Sequence, residues 1–331
     1  MKTLAGLGEF PFIEAIARSA RGKGSRRGVV LGIGDDAARL RLRRDAIVTV
    51  DSLVEGVHFR RTWLEPAELG RRAFRVAVSD VAACGADARF VLLALAAPSS
   101  YPARNALALV RGLIDDAARA GAHLVGGNVC RSPVLSLAVT VVGEAGPRVL
   151  TRDSARIGDT VYVTGRLGGA AAAVRHLRRP PRTAASSEGR RRAPPLAPYT
   201  KPPVRLDVGR SLARLRAIGA LIDVSDGLVQ DLGHICERSG VSAEIDPRAV
   251  PVARGASLED ALFGGDDYEL LFTARPGAAS ERGVDEALVA GKCRAIPIGR
   301  IVEPRDAKVV SSTDGRALVG GYAHFLEGRR P

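Results

Sequence analysis

The chain has 331 residues, 46% of them hydrophobic, and carries 49 Lys+Arg against 36 Asp+Glu for a net charge of +13. That length and apolar content exclude a chain disordered along most of its length and suit two globular domains, each with its own core. The positive excess would favour nucleic acid if it were clustered. It is diffuse, and only five of the 49 basic residues are lysine, so the bias reads as residue usage and no nucleic-acid partner is expected.

No apolar run approaches the roughly 18 residues that a membrane span needs. The start, Met1-Lys2-Thr3-Leu4, leads into an amphipathic segment with Glu9 and Glu14 and lacks the apolar core and small-residue cleavage site of a signal peptide. A cytoplasmic protein without membrane association is expected. Cys84, Cys130, Cys236 and Cys293 are far apart and form no CxxC, which suggests reduced structural thiols and neither zinc nor a disulfide framework.

Along the chain, β-branched runs alternate with longer Ala/Leu/Arg segments of helical period. Strands are predicted at Ile47–Val50, Phe90–Ala96 and Leu135–Val142, with helices at Ala67–Cys84 and Arg104–Ala120. A second set follows: a strand at Asp159–Thr164, helical stretches at Gly169–Leu177 and Val204–Leu215, a strand at Leu221–Val224 and a helix at Leu228–Ser239. Gly143-Glu144-Ala145-Gly146-Pro147 ends regular structure and puts the domain boundary near 147, giving domains 1–147 and 148–331, both α/β with mixed sheets. Residues Arg178–Pro203 are rich in Pro and Arg and almost free of large apolar side chains, so a mobile surface insertion is expected there.

A single Asp means little, because Asp is common in turns. Here aspartates recur at the ends of apolar strands beside Gly or small residues. They occur in Gly34-Asp35-Asp36, Val50-Asp51-Ser52, Ser79-Asp80-Val81, Ile222-Asp223-Val224-Ser225-Asp226-Gly227 and Gly264-Gly265-Asp266-Asp267-Tyr268-Glu269. Asp80 lies in a helical stretch of Ala, Val and Cys, where an unpaired buried carboxylate costs several kcal/mol. Arg75, five positions earlier, is off the i, i+4 spacing, so a cation is the economical partner. Carboxylates without His/Cys clusters favour Mg²⁺ or Ca²⁺ over zinc, and Mg²⁺ commonly bridges carboxylates to phosphates. No P-loop, protein-kinase signature, dinucleotide fingerprint or nucleophile elbow is present. On residues alone, structural Ca²⁺ binding, phosphatase activity and phosphoryl transfer all stay open.

Taken together and in order, Gly8-Glu9-Phe10, Val54-Glu55-Gly56-Val57-His58-Phe59, Ser79–Asp87, Asp223-Val224-Ser225-Asp226-Gly227-Leu228 and Gly264–Leu270 resemble the thiamine-monophosphate kinase family. That family belongs to a superfamily with aminoimidazole-ribonucleotide synthetase, selenophosphate synthetase and a hydrogenase maturation protein. The resemblance implies ATP-dependent conversion of thiamine monophosphate to thiamine diphosphate with several Mg²⁺ ions. It also implies a homodimer formed through the first domain's sheets and a second domain covering the site. Carried over by position, Asp36, Thr49, Val50, Asp51, Asp80, Asn128, Asp223 and Asp226 fall on metal positions. Gly127, Arg152 and Ser225 fall on ATP positions, and His58, Asp266 and Tyr322 on substrate positions.

The chain departs from the family pattern in three places. Gly126-Gly127-Asn128-Val129 stands for Gly-Gly-Asp-Thr, replacing a carboxylate by an amide that should hold an ion more weakly. Ala120 stands where an aromatic is usual, and Asp266 is one methylene shorter than the usual Glu. Two rival readings follow: a non-catalytic homologue that binds nucleotide or thiamine phosphates, and another ATP-using member of the superfamily. The stretch Arg178–Arg192 raises RNA as a third possibility.

Overall fold

The computed structural model describes residues 2–23, 27–34, 36–178 and 193–322. Asp35 and most of the predicted insertion, residues 179–192, lie outside the described residues. The chain forms two compact units, residues 1–81 with 86–146, and residues 82–85 with 147–331.

In the first unit the helices are α1 (Leu4–Leu7), α2 (Glu9–Ala20), α3 (Pro66–Ala83) and α4 (Ala103–Arg119), and the strands β1 (Val29–Leu31), β2 (Arg39–Leu40), β3 (Ala46–Val54), β4 (Asp87–Ala97), β5 (His123–Arg131) and β6 (Ser136–Glu144). The main sheet runs β3-β6-β4-β5, with β4 and β5 parallel and the other pairs antiparallel. Strand β3 alternates cleanly: Val48 and Val50 are 63% and 61% exposed while Leu53 is buried. Such alternation is the mark of a strand with one covered face. The core under that face is made by Phe74, Val78 and Val81 of α3, Leu109 and Leu113 of α4, and Val91, Leu93 and Val139 of the sheet, all buried.

The second unit adds β7 (Thr160–Thr164), α5 (Gly169–Leu177), α6 (Ala197–Thr200), α7 (Leu206–Ala213), β8 (Ile218–Asp223), α8 (Leu228–Ser239), β9 (Ser242–Ile245), α9 (Leu258–Phe263), β10 (Leu270–Ala274), α10 (Ala278–Ala290), β11 (Ala295–Val302) and β12 (Val309–Ser311). Its sheet runs β12-β9-β11-β7-β10-β8, antiparallel except for β12 with β9. Every residue of β8 and β10 is buried, so these strands read as continuous apolar runs without alternation. Both units are α/β with mixed sheets, as expected.

Two differences from the sequence reading have physical causes. Strand β5 was not predicted because its centre is Gly126-Gly127-Asn128, which locally favours a turn and is held extended by pairing with β4. Around Pro203, the described part of the predicted insertion is not bare surface: α6 packs on α5, and Tyr199 is fully buried. A single aromatic anchors a stretch whose composition otherwise argued for solvent.

Candidate active site

In the first unit, the period of β3 puts Thr49 and Asp51 on the covered face. Helix α3 packs on that face and brings Asp80 to Thr49, whose Oγ1 donates to Asp80 Oδ2 at 2.5 Å. Asp80 is half-buried, where full burial was expected, and it accepts a hydroxyl from Thr49. Its neighbours Ser79 and Val81 take the interior, leaving Asp80 at the margin of the helix. Arg75 is committed elsewhere, pairing with buried Asp116, which also holds Arg119 at 2.5 Å.

Asp36 lies apart from this pair, exposed after Gly34. With Gly127 and Asn128 it lines a half-open cavity of about 750 Å³, bordered by Phe10 and Ile13 of α2. Gly127 has φ +148°, and a Cβ there would lie 1.9 Å from the Leu93 carbonyl oxygen, so only glycine fits. Sheet register places Gly127 in the row of Asp51, Val139 and Leu93. Asn128 falls in the next row, with Ser52, Ala138 and Ala94. Because neighbouring rows face opposite sides, Asn128 borders the cavity and not the face that carries Thr49 and Asp51. Ala120, where an aromatic was expected, is the C-cap of α4. His58 follows β3, and its Nδ1 accepts from the Val54 N–H at 3.1 Å. Its neutral ring therefore carries the proton on Nε2.

In the second unit two loops run side by side. Val224 N–H donates to the Glu269 carbonyl, Tyr268 N–H to that of Val224, and Asp266 N–H to that of Ser225, each at 2.8 Å. A Cβ on Gly265 would stand 2.3 Å from the Ser225 carbonyl oxygen, so the loops can approach this closely only because that residue is glycine. Asp266 and Tyr268 both have left-handed φ, +71° and +52°, and Tyr268 OH donates to Asp266 Oδ1 at 2.8 Å. The Tyr322 N–H donates to the Asp226 carbonyl at 2.9 Å, while Gln230 Nε2 bridges Asp226 Oδ2 and the Tyr322 carbonyl at 3.3 and 2.8 Å. Ser225, Asp226, Asp266 and Tyr322 are thus brought together, with Asp223 buried at the end of β8 just before them.

Arg152 is not brought to this group. Its carbonyl accepts from Ser239 Oγ at the last residue of α8. Ser225 and Asp226 precede the first residue of that helix, whose 12 residues span roughly 18 Å at the usual rise.

Three buried acids escaped the sequence reading as individuals. Asp231 Oδ2 accepts the N–H groups of Ser225, Asp226 and Gly227 at 3.0, 3.1 and 3.1 Å. Asp267 accepts from the Gly168 and Ala170 N–H groups at 2.6 and 3.4 Å and so satisfies the start of α5. Burial, with Glu269 and Asp266 adding to it, pushes the Asp267 carboxyl up to about 7 against the pull of those two N–H groups. Glu269 takes a bidentate contact from Arg205 at 2.6 and 2.7 Å and a hydroxyl from Thr164 at 2.6 Å. Motif position flagged Asp267 and Glu269, but only the fold shows that they serve the interior.

The donors suit a hard cation: carboxylates, a threonine hydroxyl and an amide. Among the described residues, one group of acids and imidazole converges within 4.8 Å, namely Asp226, Asp231 and His234. Burial pushes the Asp231 carboxyl up to about 8, helped by repulsion from Asp223 and Asp226 and opposed by its N–H donors. A divalent cation beside these carboxylates would relieve that repulsion.

Residues 34–145 match the family described as AIR synthase related protein, N-terminal domain, and residues 156–312 its C-terminal domain. The chain is 35% identical over 337 aligned positions to a thiamine-monophosphate kinase of Mycobacterium tuberculosis, covering 98% of this chain and 94% of that one. The chain belongs to the thiamine-monophosphate kinase family. Its fold is similar to the crystal structure of the thiamine-monophosphate kinase from Stenotrophomonas maltophilia K279a, with TM-score 0.80 and 34% identity over 94% of this chain and 98% of that one. It is also similar to a structure described as AaThiL complexed with AMPPCP and TMP, with TM-score 0.72 and 30% identity over 98% of this chain and 99% of the other. Family membership narrows the chemistry that the acids alone left open. No helix of the described residues is long and apolar enough to cross a membrane.

Proposed function

We propose that this chain transfers the γ-phosphoryl group of ATP to thiamine monophosphate, forming thiamine diphosphate and ADP. The observation that carries this reading is the pair of oxygen-donor groups, Thr49/Asp51/Asp80 in one unit and Asp223/Asp226 in the other, in a chain of this family. Phosphoryl transfer to a phosphate oxygen needs no nucleophile from the protein, since positioning and charge neutralisation supply most of the rate.

In the step, a phosphate oxygen of thiamine monophosphate bonds to the γ-phosphorus as the bond to the β-phosphate bridging oxygen breaks and ADP leaves. Asp36, Asp51, Asp80, Asp223 and Asp226, with Thr49 and the Val50 carbonyl, would hold the Mg²⁺ ions. Those ions neutralise phosphate charge so that two polyanions can approach. Ser225 and Gly127 are assigned to ATP, the bare Gly127 backbone allowing close approach of phosphates. Asp266, Tyr322 and His58 are assigned to thiamine monophosphate, His58 offering an Nε2–H donor. Arg152, exposed and distant from Ser225 along α8, is left outside the set that the second unit assembles by itself.

Purified protein incubated with ATP, Mg²⁺ and thiamine monophosphate is expected to form thiamine diphosphate, to stop on EDTA and to resume on excess Mg²⁺. Absence of product beside an active control enzyme would refute the reading. In the same assay Asn128→Asp is expected to lower the Mg²⁺ concentration that gives half-maximal rate, because a carboxylate would add charge to the cavity that Asp36 also lines.

We further infer a homodimer in the cytoplasm. The open face of β3, an edge strand displaying Val48 and Val50, supports self-association.

A further inference from the structure

We propose that Asp231 is a positioning residue for this site, one of its carboxyl oxygens acting as the internal acceptor on which the Ser225–Gly227 turn is built. The proposal rests on the phosphoryl-transfer reading above for its functional meaning. Helix α8 begins after Gly227, which has no side chain with which to cap it. Asp231, in the first turn, reaches back past the helix start and gathers three successive N–H groups on one carboxylate oxygen, at 3.0, 3.1 and 3.1 Å. Converging backbone donors of this kind form a concavity that elsewhere receives phosphate. Here the chain fills it with its own carboxylate, only 2% exposed.

With its N–H groups turned inward, the turn leaves its first two carbonyls for other segments, while that of Gly227 starts the helix by accepting the Asp231 N–H. Ser225 receives Asp266 N–H, and Asp226 receives Tyr322 N–H. One carboxylate thereby fixes the backbone from which Asp226 projects and to which the Asp266 and Tyr322 segments are tied. With an oxygen already engaged by three donors, Asp231 itself is poorly suited to be the chief ligand of a cation. Its contribution is to aim Asp226.

The test separates acceptor geometry from charge. Asp231→Asn keeps an oxygen in place and drops the charge, whereas Asp231→Glu keeps the charge and moves the oxygen by a methylene. Mn²⁺ alone is titrated into the full chain and followed by electron paramagnetic resonance, and kcat is measured alongside. Asp231→Asn is expected to bind Mn²⁺ within about fivefold of wild type, and Asp231→Glu to bind it about 10–100-fold more weakly with a matching fall in kcat. An Asn variant as impaired as the Glu variant, or a folded Glu variant with wild-type Mn²⁺ affinity, would overturn the proposal. Should the Glu variant fail to fold, native hydrogen exchange of the wild type decides. Protection of the Ser225, Asp226 and Gly227 amides is expected, and fast exchange at all three would sink the idea. Metal binding and exchange need no turnover, so a failed kinase assay counts only against the phosphoryl-transfer reading.

Discussion

Asp80→Asn is expected to lower the rate of thiamine diphosphate formation at least about a hundredfold while leaving the fold intact. The estimate starts from outer-shell partners of metal ligands, whose loss already costs 10–100-fold, so a ligand itself should cost no less. Stability should hardly move, because Asp80 is half-buried and an Asn oxygen can still accept from Thr49 Oγ1. A change within about 1 kcal/mol is expected for such a substitution. Thermal unfolding and product formation measured on the same preparation check both halves. A variant with wild-type melting and activity within tenfold of wild type would remove Asp80 from the site.

Glu269→Ala is expected to be the opposite kind of lesion, about 3–5 kcal/mol of lost stability from one buried carboxylate. Glu269 is buried and the Arg205 side chain is only 20% exposed. Burial opposes the charge on Arg205, but its hydrogen bonds to Glu269 hold the guanidinium above its ordinary range. Removing the acid leaves that cation desolvated and unmatched. It also strips the Thr164 hydroxyl of its acceptor, though Thr164 Oγ1 still receives the Leu270 N–H. Calorimetry should record a fall in melting temperature on the order of 10 °C for the affected unit. The double substitution Glu269→Leu with Arg205→Met should recover most of the loss, since replacing both partners by apolar groups leaves no orphan charge. If the double variant is no more stable than Glu269→Ala, the ion pair is not what the site depends on.

How much could be read in advance differed by element. Helices α3, α4 and α8 and strand β3 were plain, because their apolar spacing follows one period over a whole element. Strand β10 was not, since five consecutive buried residues carry no period at all, and β5 was hidden by its Gly-Gly-Asn centre. The acids as a group stood out through their repetition beside glycines. Their partners did not: Thr49 and Asp80 lie 31 residues apart, and nothing local announces that a strand hydroxyl will meet a helix carboxylate. Asp231 had a weak signal, an acid in the first turn of a helix, which usually means only a favourable dipole contact. That it turns back to collect three N–H groups is a property of the turn before it.

The left-handed backbone at Asp266 gives a reason for its short side chain. Most residues resist a positive φ, and Asp and Asn are several-fold enriched among those that accept it. Asp266, at φ +71°, is followed two residues later by Tyr268 at +52°, whose hydroxyl steadies the same carboxylate. A glutamate would gain reach toward a ligand but would sit less comfortably on that backbone and would overshoot the tyrosine. Side-chain length and backbone conformation are thus coupled at this position: in this loop the short acid, the left-handed φ and the tyrosine hydroxyl form one arrangement.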